Sequence, residues 1–153
     1  MNNLKVKYVS IFILLFLIDQ YIKYAFVHLN LGYDGPVISL VLAYNYGVAF
    51  SMFEFLAGYL KYIQLLILGA GSIYLYLNQD IIKKYAPAIM LLYVGGLSNI
   101  LDRFTYGAVV DYVYWHYKFD FAIFNMSDVL IDCAIVIILY LQYNYSKEEK
   151  NSQ

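Results

Sequence analysis

Long apolar runs with few polar interruptions make up most of the chain. Roughly 20 mostly apolar residues are enough to cross a lipid bilayer as an α-helix. Four segments reach that length, at about 8–27, 58–78, 86–105 and 124–144. The pattern therefore predicts an α-helical integral membrane protein with four transmembrane helices.

Basic residues are distributed unevenly among the segments that flank these runs. The long connections at about 28–57 and 106–123 contain no arginine and a single lysine, Lys118. The two ends of the chain and the short connection at 79–85 are richer in lysine, with Lys5, Lys7, Lys83, Lys84, Lys147 and Lys150. Since Lys and Arg concentrate on the cytoplasmic side, both termini are predicted to be cytoplasmic and both long connections to lie outside.

The two long connections predict different structures. The first contains a turn signal, Asp34-Gly35-Pro36, followed by a β-branched run, and this combination indicates a small β element at the membrane surface. The second predicts an aromatic loop at the lipid–water boundary, because it is rich in residues favoured there: Tyr112, Tyr114, Trp115 and Tyr117.

The N-terminal run has the basic and apolar regions of a signal peptide. No small-x-small cleavage site follows it, and Asp19 and Gln20 stand where such a site would fall. This segment is therefore predicted to be retained as the first membrane helix.

Composition agrees with a membrane protein and narrows the chemistry. The 153 residues are 63% hydrophobic and 14% charged, whereas soluble domains are about a quarter charged. The length suits a single domain, 1–153. A net charge of −1 gives no electrostatic reason to bind nucleic acid. With one cysteine, Cys133, and no CxxC, HExxH or Cys/His ligand spacing, neither a metal site nor a cofactor is predicted.

The polar residues inside the apolar runs are few and have helical spacing. Asp19 precedes Lys23 by four residues, so the two can form an ion pair on one helix face. Near the end of the third run, Asn99 shares a face with Asp102 and Arg103. Ionisable groups at membrane depth either pair with one another or mark a functional site, and the residues alone leave both readings open.

Small residues precede this polar group. Gly95 and Gly96 would allow another helix to approach closely. Taken alone, this pair indicates packing rather than chemistry.

Further carboxylates flank the second long connection. Asp111 follows the third run, and Asn125 lies three residues before Asp128, on one face at the start of the fourth helix. All of these polar positions lie toward the predicted outer side. An ion pathway would also need groups through the midplane, so the pattern favours chemistry at the outer boundary.

Two carboxyl groups held close together can share one proton near neutral pH. The ionised group then accepts a proton from water while the protonated group donates a hydrogen bond to a carbonyl oxygen, as in aspartic peptidases. Asp111 and Asp128 are candidates for such a pair if the aromatic segment between them folds back. The sequence does not give the distance between them.

Five motifs, in this order, resemble those of the bacterial lipoprotein signal peptidases, also called signal peptidase II. "DQYIK" is similar to the family's D-Q-x-x-K, and "NYGVAF", from Asn45 through Gly47 to Ala49 and Phe50, is similar to N-x-G-x-(A/S)-(F/W). "GGLSNILDR", "VVDY" and "FNMSD" resemble G-G-x-x-G-N-x-x-D-R, V-V-D-F and F-N-x-A-D. The resemblance covers nearly the whole chain.

The resemblance implies that Asp111 and Asp128 form the catalytic dyad. The residues that would shape the site, hold the substrate or support it are Asn45, Gly47, Asn99, Arg103, Asn125, Asp19, Lys23 and Asp102. The implied reaction removes the signal peptide from a prolipoprotein whose cysteine carries diacylglycerol, without a metal or cofactor. We expect a monomer in the lipid of the bacterial cytoplasmic (inner) membrane, with its site toward the outer face.

Three positions complicate this pattern. Ser98 and Ser127 replace the family's usual Gly and Ala immediately before Asn99 and Asp128. Asp132 lies one helical turn, about 6 Å, beyond Asp128 and could compete with it as an acid.

Two non-enzymatic functions stay open on the residues alone. One is a small transporter or channel that uses the intramembrane acids for coupling, and the other is a structural membrane subunit that pairs its charges with another protein. The clustering of polar residues on one side and the absence of an internal sequence repeat favour the peptidase over the transporter.

Overall fold

The computed structural model describes residues 2–48 and 52–151. Within them the elements are α1 (Asn2–Leu29), β1 (Ile38–Asn45), a 3-10 turn (Glu54–Leu56), α2 (Ala57–Leu77), α3 (Gln79–Thr105), β2 (Val109–Trp115) and α4 (Met126–Asn151). Each predicted apolar run coincides with one of these helices, and the strand predicted in the first long connection is present as β1. Ala49 and Phe50 of the second motif lie outside the described residues.

Three helices of the described chain, α1, α2 and α4, are long and apolar enough to cross a membrane. Their surfaces expose large apolar side chains, among them Leu17, Leu66 and Leu139, each more than half exposed. Apolar surface of this extent is unfavourable in water. The protein is therefore mostly helical with several lipid-facing helices, as predicted.

The remaining helix, α3, contacts each of the other three. Toward its C-terminal end it buries four polar side chains, Ser98, Asn99, Asp102 and Arg103. The interior of the helical assembly is thus polar at this end, and the apolar residues face outward.

Residues 79–85, which were predicted to form a short connection between two helices, are themselves helical. α3 begins at Gln79 and is kinked at Tyr85, where the backbone leaves helical geometry two residues before Pro87. Proline lacks an N–H and its ring crowds the preceding turn, which explains the kink. Before the kink, Lys83 lies 2.8 Å from Asp80 at a three-residue spacing that supports a helix. Asn78 alone separates α2 from α3.

The two adjacent glycines of α3 face different helices. A Cβ atom on Gly95 would lie 2.5 Å from the backbone oxygen of Ser127 on α4, closer than a methyl group can approach. A Cβ atom on Gly96 would lie 3.3 Å from a methyl carbon of Leu68 on α2. The predicted close approach of another helix is therefore confirmed, and it involves two neighbouring helices.

The second long connection, predicted as an aromatic loop, contains a strand. β2 pairs antiparallel with β1, with Asp111 opposite Ala43 and Val109 opposite Asn45. The sequence "VVDYVYW" is β-branched and aromatic, as strands prefer, and β1 supplies the partner for its backbone groups. Tyr112 stacks on Phe26 of α1 with ring centroids 4.8 Å apart, which seats the sheet on the helices.

A Ser, His and Asp group closes the end of the sheet remote from Asp111. Ser39 Oγ donates a hydrogen bond of 2.6 Å to Asp34 Oδ1 and lies 2.9 Å from His116 Nε2. A catalytic triad needs the carboxylate on the histidine, whereas here it bonds to the serine. The group therefore links the start of β1 to the end of β2 and does not activate a nucleophile.

Candidate active site

The chain that follows β2 folds back and places the start of α4 beside Asp111. Phe124 pairs with Val113 through two backbone hydrogen bonds, of 3.0 Å and 2.8 Å. The Tyr112 hydroxyl accepts a hydrogen bond from the N–H of Met126, the first residue of α4. Asp111 itself is 2% exposed. The fold thus brings Asp111 close to the start of α4, a contact that the sequence alone did not establish.

Asn125 links the two candidate carboxylates. Its Nδ2 donates a hydrogen bond of 2.6 Å to Asp111 Oδ1, and its backbone N–H donates one of 3.1 Å to Asp128 Oδ2. In return, Asn125 Oδ1 accepts from the N–H of Asp128 at 3.0 Å. This reciprocal pattern caps the N-terminus of α4. Asn125 therefore precedes the helix, whereas the sequence predicted it on the helix face.

Asn99 holds Asp128 from the side of α3. Its Nδ2 donates to Asp128 Oδ1 at 3.0 Å, and its Oδ1 accepts from Lys23 Nζ at 2.9 Å. Asn125 Nδ2 also lies 3.3 Å from Asn99 Oδ1. Two asparagines thus fix both carboxylates and connect them to a buried lysine.

Burial, together with the negative charge of Asp128, raises the pKa of Asp111 to about 7, although hydrogen bonds from Asn125 and Asn45 oppose the shift. Near neutral pH about half of the Asp111 carboxyl groups therefore carry a proton. A carboxyl group that is protonated at this pH can act as an acid, and its ionised neighbour can act as a base.

Lys23 is completely buried, and its charge is shared between two carboxylates. Its Nζ lies 2.9 Å from Asp19 Oδ2 and 2.8 Å from Asp102 Oδ2. The predicted pairing of Asp19 with Lys23 is confirmed. The second partner, on α3, was not predicted. Removing one member of a buried pair typically costs 3–5 kcal/mol, roughly, because a charge is left uncompensated.

Hydroxyl and amide groups satisfy the remaining oxygens of this network. Ser98 Oγ and Ser127 Oγ donate to Asp19 Oδ2 at 2.5 Å and 2.7 Å. Gln20 Nε2 donates to Asp102 Oδ1 at 2.9 Å. The two serines that depart from the family pattern thus bind one carboxylate, from α3 and from α4.

The sheet is attached to the same network through its backbone. The N–H of Val110 donates to Asp102 Oδ2 at 3.2 Å. Asp111 is the next residue, so the carboxylate of Asp102 helps to fix the strand that carries it. Asp102 was predicted as a supporting residue, and the structure places it in contact with the strand beside Asp111.

Arg103 joins the first long connection to α3. Its guanidinium donates to the carbonyl oxygen of Gly47, and the Gly47 N–H donates to Asn45 Oδ1 at 3.0 Å. Arg103 is 4% exposed and interacts electrostatically with Asp111, Asp102 and Asp128. Asn45, Gly47 and Arg103 therefore form one side of the site.

A cavity of about 380 Å³ opens beside these residues. Asn45, Asn99, Arg103 and Asp128 supply much of its polar lining, and two further polar residues, Gln64 and Asp132, complete it. Of the described residues, Asp128 lines the cavity and Asp111 does not; Asn125 lies against Asp111 instead. Gln64 was not predicted, because a single glutamine in an apolar run has no motif to mark it.

Within residues 2–48 and 52–151, no three His, Cys, Asp or Glu side chains are grouped as ligands for a metal ion. The chemistry that the described site offers directly is acid–base chemistry of paired carboxylates.

Sequence comparisons give one consistent result. A family model described as "Signal peptidase (SPase) II" matches residues 11–144. A lipoprotein signal peptidase of Sulfurimonas denitrificans is 51% identical, over 94% of this chain and 94% of its own. One from Wolinella succinogenes is 48% identical, over 86% and 89%. One from Helicobacter pylori is 42% identical, over 93% and 90%.

Solved structures show the same fold. A bacterial membrane enzyme determined by the in meso method at 2.3 Å superimposes with a TM-score of 0.78 at 23% identity, covering 96% of this chain and 92% of that one. Another, determined at 1.9 Å, gives a TM-score of 0.70 at 24% identity, covering 88% and 90%.

Proposed function

Because the chain belongs to the signal peptidase II family, and is thus an enzyme related to bacterial lipoprotein signal peptidases, we propose that it is an intramembrane aspartic endopeptidase. Its substrate is a prolipoprotein whose cysteine carries diacylglycerol, and it cleaves just before that cysteine. The observation that carries the proposal is the group Asp111, Asn125 and Asp128, in which one asparagine contacts both carboxylates.

In this mechanism Asp111 and Asp128 act on one water molecule. The ionised carboxylate accepts a proton from the water as its oxygen attacks the scissile carbonyl carbon, and the protonated carboxyl group donates a hydrogen bond to the carbonyl oxygen. The resulting tetrahedral intermediate collapses as a proton passes to the leaving nitrogen. Since a coupled pair titrates as a unit, the roles are assigned to the pair.

The remaining site residues have positioning roles. Asn99 and Asn125 orient the carboxylates. Asn45 and Arg103 border the cavity in which the substrate lies, and the backbone of Gly47 is hydrogen-bonded to both. Asp19, Lys23 and Asp102 hold α1, α3 and β2 in register beneath the site. A cavity of about 380 Å³ with both polar and apolar lining suits a peptide that carries a lipid group.

We also propose that α3 is the fourth membrane span and that 1–153 form one monomeric domain in the inner membrane. Beyond the kink at Tyr85, the 20 residues 86–105 of α3 extend about 30 Å at 1.5 Å per residue, and α3 contacts all three apolar helices. The site residues gather at the end of the helices where both long connections lie. The distribution of lysines supports assigning that end to the outer face and both termini to the cytoplasm.

The direct test uses purified protein in detergent or vesicles and a prolipoprotein with and without the diacylglyceryl group. We expect cleavage only of the lipidated form, with the new N-terminus at the modified cysteine, as read by mass spectrometry. Equal cleavage of both forms would contradict the proposed substrate, and absence of cleavage of either would contradict the proposed activity.

A further inference from the structure

Gln64 presents a buried acceptor that no described residue uses. Its side-chain oxygen is inaccessible to solvent and has no hydrogen-bond partner among the described residues. Buried polar atoms in proteins are nearly always paired, so an unpaired one calls for a physical explanation. Gln64 lines the same cavity as Asp128, so the side chain that carries this oxygen borders the proposed active site.

Asp132 is a second acceptor on the cavity wall and, unlike the Gln64 oxygen, it is exposed. It lies on α4 and forms no hydrogen bond or ion pair with any residue of the described ranges. Its position is one turn, about 6 Å, beyond Asp128 along the helix. Gln64 stands seven residues into α2 and Asp132 six residues into α4, which puts them about 10 Å and 9 Å from the outer helix ends. Both therefore lie deeper than Asp128, on two helices that border one cavity.

A peptide bound with its scissile bond at Asp128 would have unpaired donors at this depth. A peptide bond must lie in extended chain to be attacked, so the residues that precede it lose their helical hydrogen bonds. In a membrane, an N–H group without an acceptor is strongly unfavourable, because lipid offers no partner. If the scissile bond lies at Asp128, the signal-peptide residues before it run inward past Gln64 and Asp132.

We propose that Gln64, together with Asp132, accepts hydrogen bonds from backbone N–H groups of the signal peptide just before the scissile bond. This inference rests on the proposed function and assigns to these two residues the positioning of the substrate. They do not touch the reacting atoms. Their loss weakens binding of the extended peptide, whereas the chemical step at Asp111 and Asp128 is retained.

The test measures kcat and KM on a lipidated signal-peptide substrate for the wild type, Gln64→Met and Gln79→Met. Methionine is close in length to glutamine and lacks its amide oxygen. Gln79, at the other end of the helices, serves as the matched control. We expect Gln64→Met to raise KM about fivefold with little change in kcat, in line with the loss of one net hydrogen bond. Gln79→Met should leave both constants unchanged.

A second measurement identifies the partner group. In a series of substrates, the amide of each residue before the cysteine is replaced in turn by an ester, which removes one N–H. One of these esters should raise the KM of the wild type. The same ester should not raise the KM of Gln64→Met any further, because the ester and the substitution remove the same hydrogen bond. Asp132→Asn, which keeps an oxygen acceptor, should bind substrate normally, whereas Asp132→Leu should not.

The outcomes separate the inference from the function on which it rests. Cleavage by the wild type with an unchanged KM for Gln64→Met, or with additive effects at every ester, would overturn the inference alone. No cleavage of lipidated substrate by the wild type would overturn the proposed function and this inference with it. Thermal unfolding of each variant in detergent identifies any variant that fails to fold. If Gln64→Met fails to fold, Gln64→Glu is measured in its place, and because this variant keeps a side-chain oxygen it should bind substrate normally.

Discussion

Asparagine rather than aspartate sets the geometry of the proposed catalytic pair. Each asparagine amide has a donor and an acceptor, so Asn125 can donate to Asp111 while it accepts from the backbone of α4. Asn99 similarly donates to Asp128 and accepts from Lys23. A carboxylate in either place would repel the pair. Amides hold two acids at close range without adding charge.

Substitution of either acid tests the assignment. Asp111→Asn and Asp128→Asn should each lower the cleavage rate by at least about a thousandfold, because the shared proton and the base are both lost. Asp132→Asn should keep the rate within about threefold, since Asp132 lies about 6 Å along the helix from Asp128. Rates are measured on the lipidated prolipoprotein. Near-normal turnover by Asp128→Asn would move the search to Asp132 and Asp102.

The raised pKa of Asp111 predicts a dependence of stability on pH. The folded pKa, about 7, is above the ordinary value, so the contribution of Asp111 to stability is full at low pH and is lost as pH rises through 7. Asp111→Asn removes this titration. At pH 8 the variant should be more stable than the wild type by a few kcal/mol, roughly, and the difference should shrink toward pH 4.

The measurement is thermal unfolding of both proteins in the same detergent at several pH values. A difference in Tm that does not vary with pH would contradict the raised pKa. Cleavage by the wild type should correspondingly fall above about pH 7, as the pair loses its shared proton.

At the scale of elements, two contacts bring the strand and helix that carry the acids to the same place. α4 packs against α3 at Gly95, close to Ser127 and therefore to the first turn of α4. β2 is bound to α3 through the N–H of Val110. Asp128 and Asp111 belong to these two elements, so the distance between them depends on α3.

A matched pair of glycine substitutions tests the role of the α3–α4 contact. Gly95→Ala places a methyl group 2.5 Å from a backbone oxygen that has no freedom to rotate away. It should lower Tm by several degrees and reduce cleavage by displacing Asp128. A Cβ atom on Gly69 of α2 would meet no other atom within 4 Å, so Gly69→Ala should leave both unchanged. Equal behaviour of the two variants would contradict the close contact.

At the scale of the whole molecule, the usual distribution of residues is inverted at one end. Polar and charged side chains such as Asp19, Lys23 and Asp102 are fully buried, while large apolar side chains cover the outside. Lipid accepts the apolar exterior, and the buried groups satisfy one another because lipid offers them no partner. The membrane therefore stabilises this arrangement of residues, which water would disrupt.

The proposed topology predicts which positions a membrane-impermeant maleimide reaches in spheroplasts. In a Cys133→Ser background, Lys118→Cys in the second long connection should react, whereas Gln79→Cys and Lys147→Cys should react only after the membrane is permeabilised. This follows from the concentration of lysine on the cytoplasmic side. Reaction of all three in intact spheroplasts, or of Gln79→Cys alone, would contradict the orientation.

Local patterns were sufficient to predict the helices and β1, because the structure of these segments follows from their own residues: an apolar run for a helix, and a turn followed by β-branched residues for β1. β2 was missed although "VVDYVYW" has strand composition, because its aromatic residues were assigned to the membrane surface. Contacts between segments distant in the sequence could not be predicted from local patterns. No feature of the neighbouring residues indicates that Lys23 contacts Asp102 or that Ser127 contacts Asp19. Gln64 has no distinctive neighbours in sequence, and only the cavity identifies it.

The double pairing of Lys23 has a consequence for how the protein is made. α1 is synthesised and enters the bilayer long before Asp102 leaves the ribosome, and a lone charged lysine within the membrane disfavours insertion. Asp19, one turn earlier on the same helix, travels with it as a counterion. The Asp19–Lys23 pair is thus neutral before Asp102 is synthesised. An insertion reporter fused after α1 would detect the loss of Asp19 before any active site exists to be disturbed.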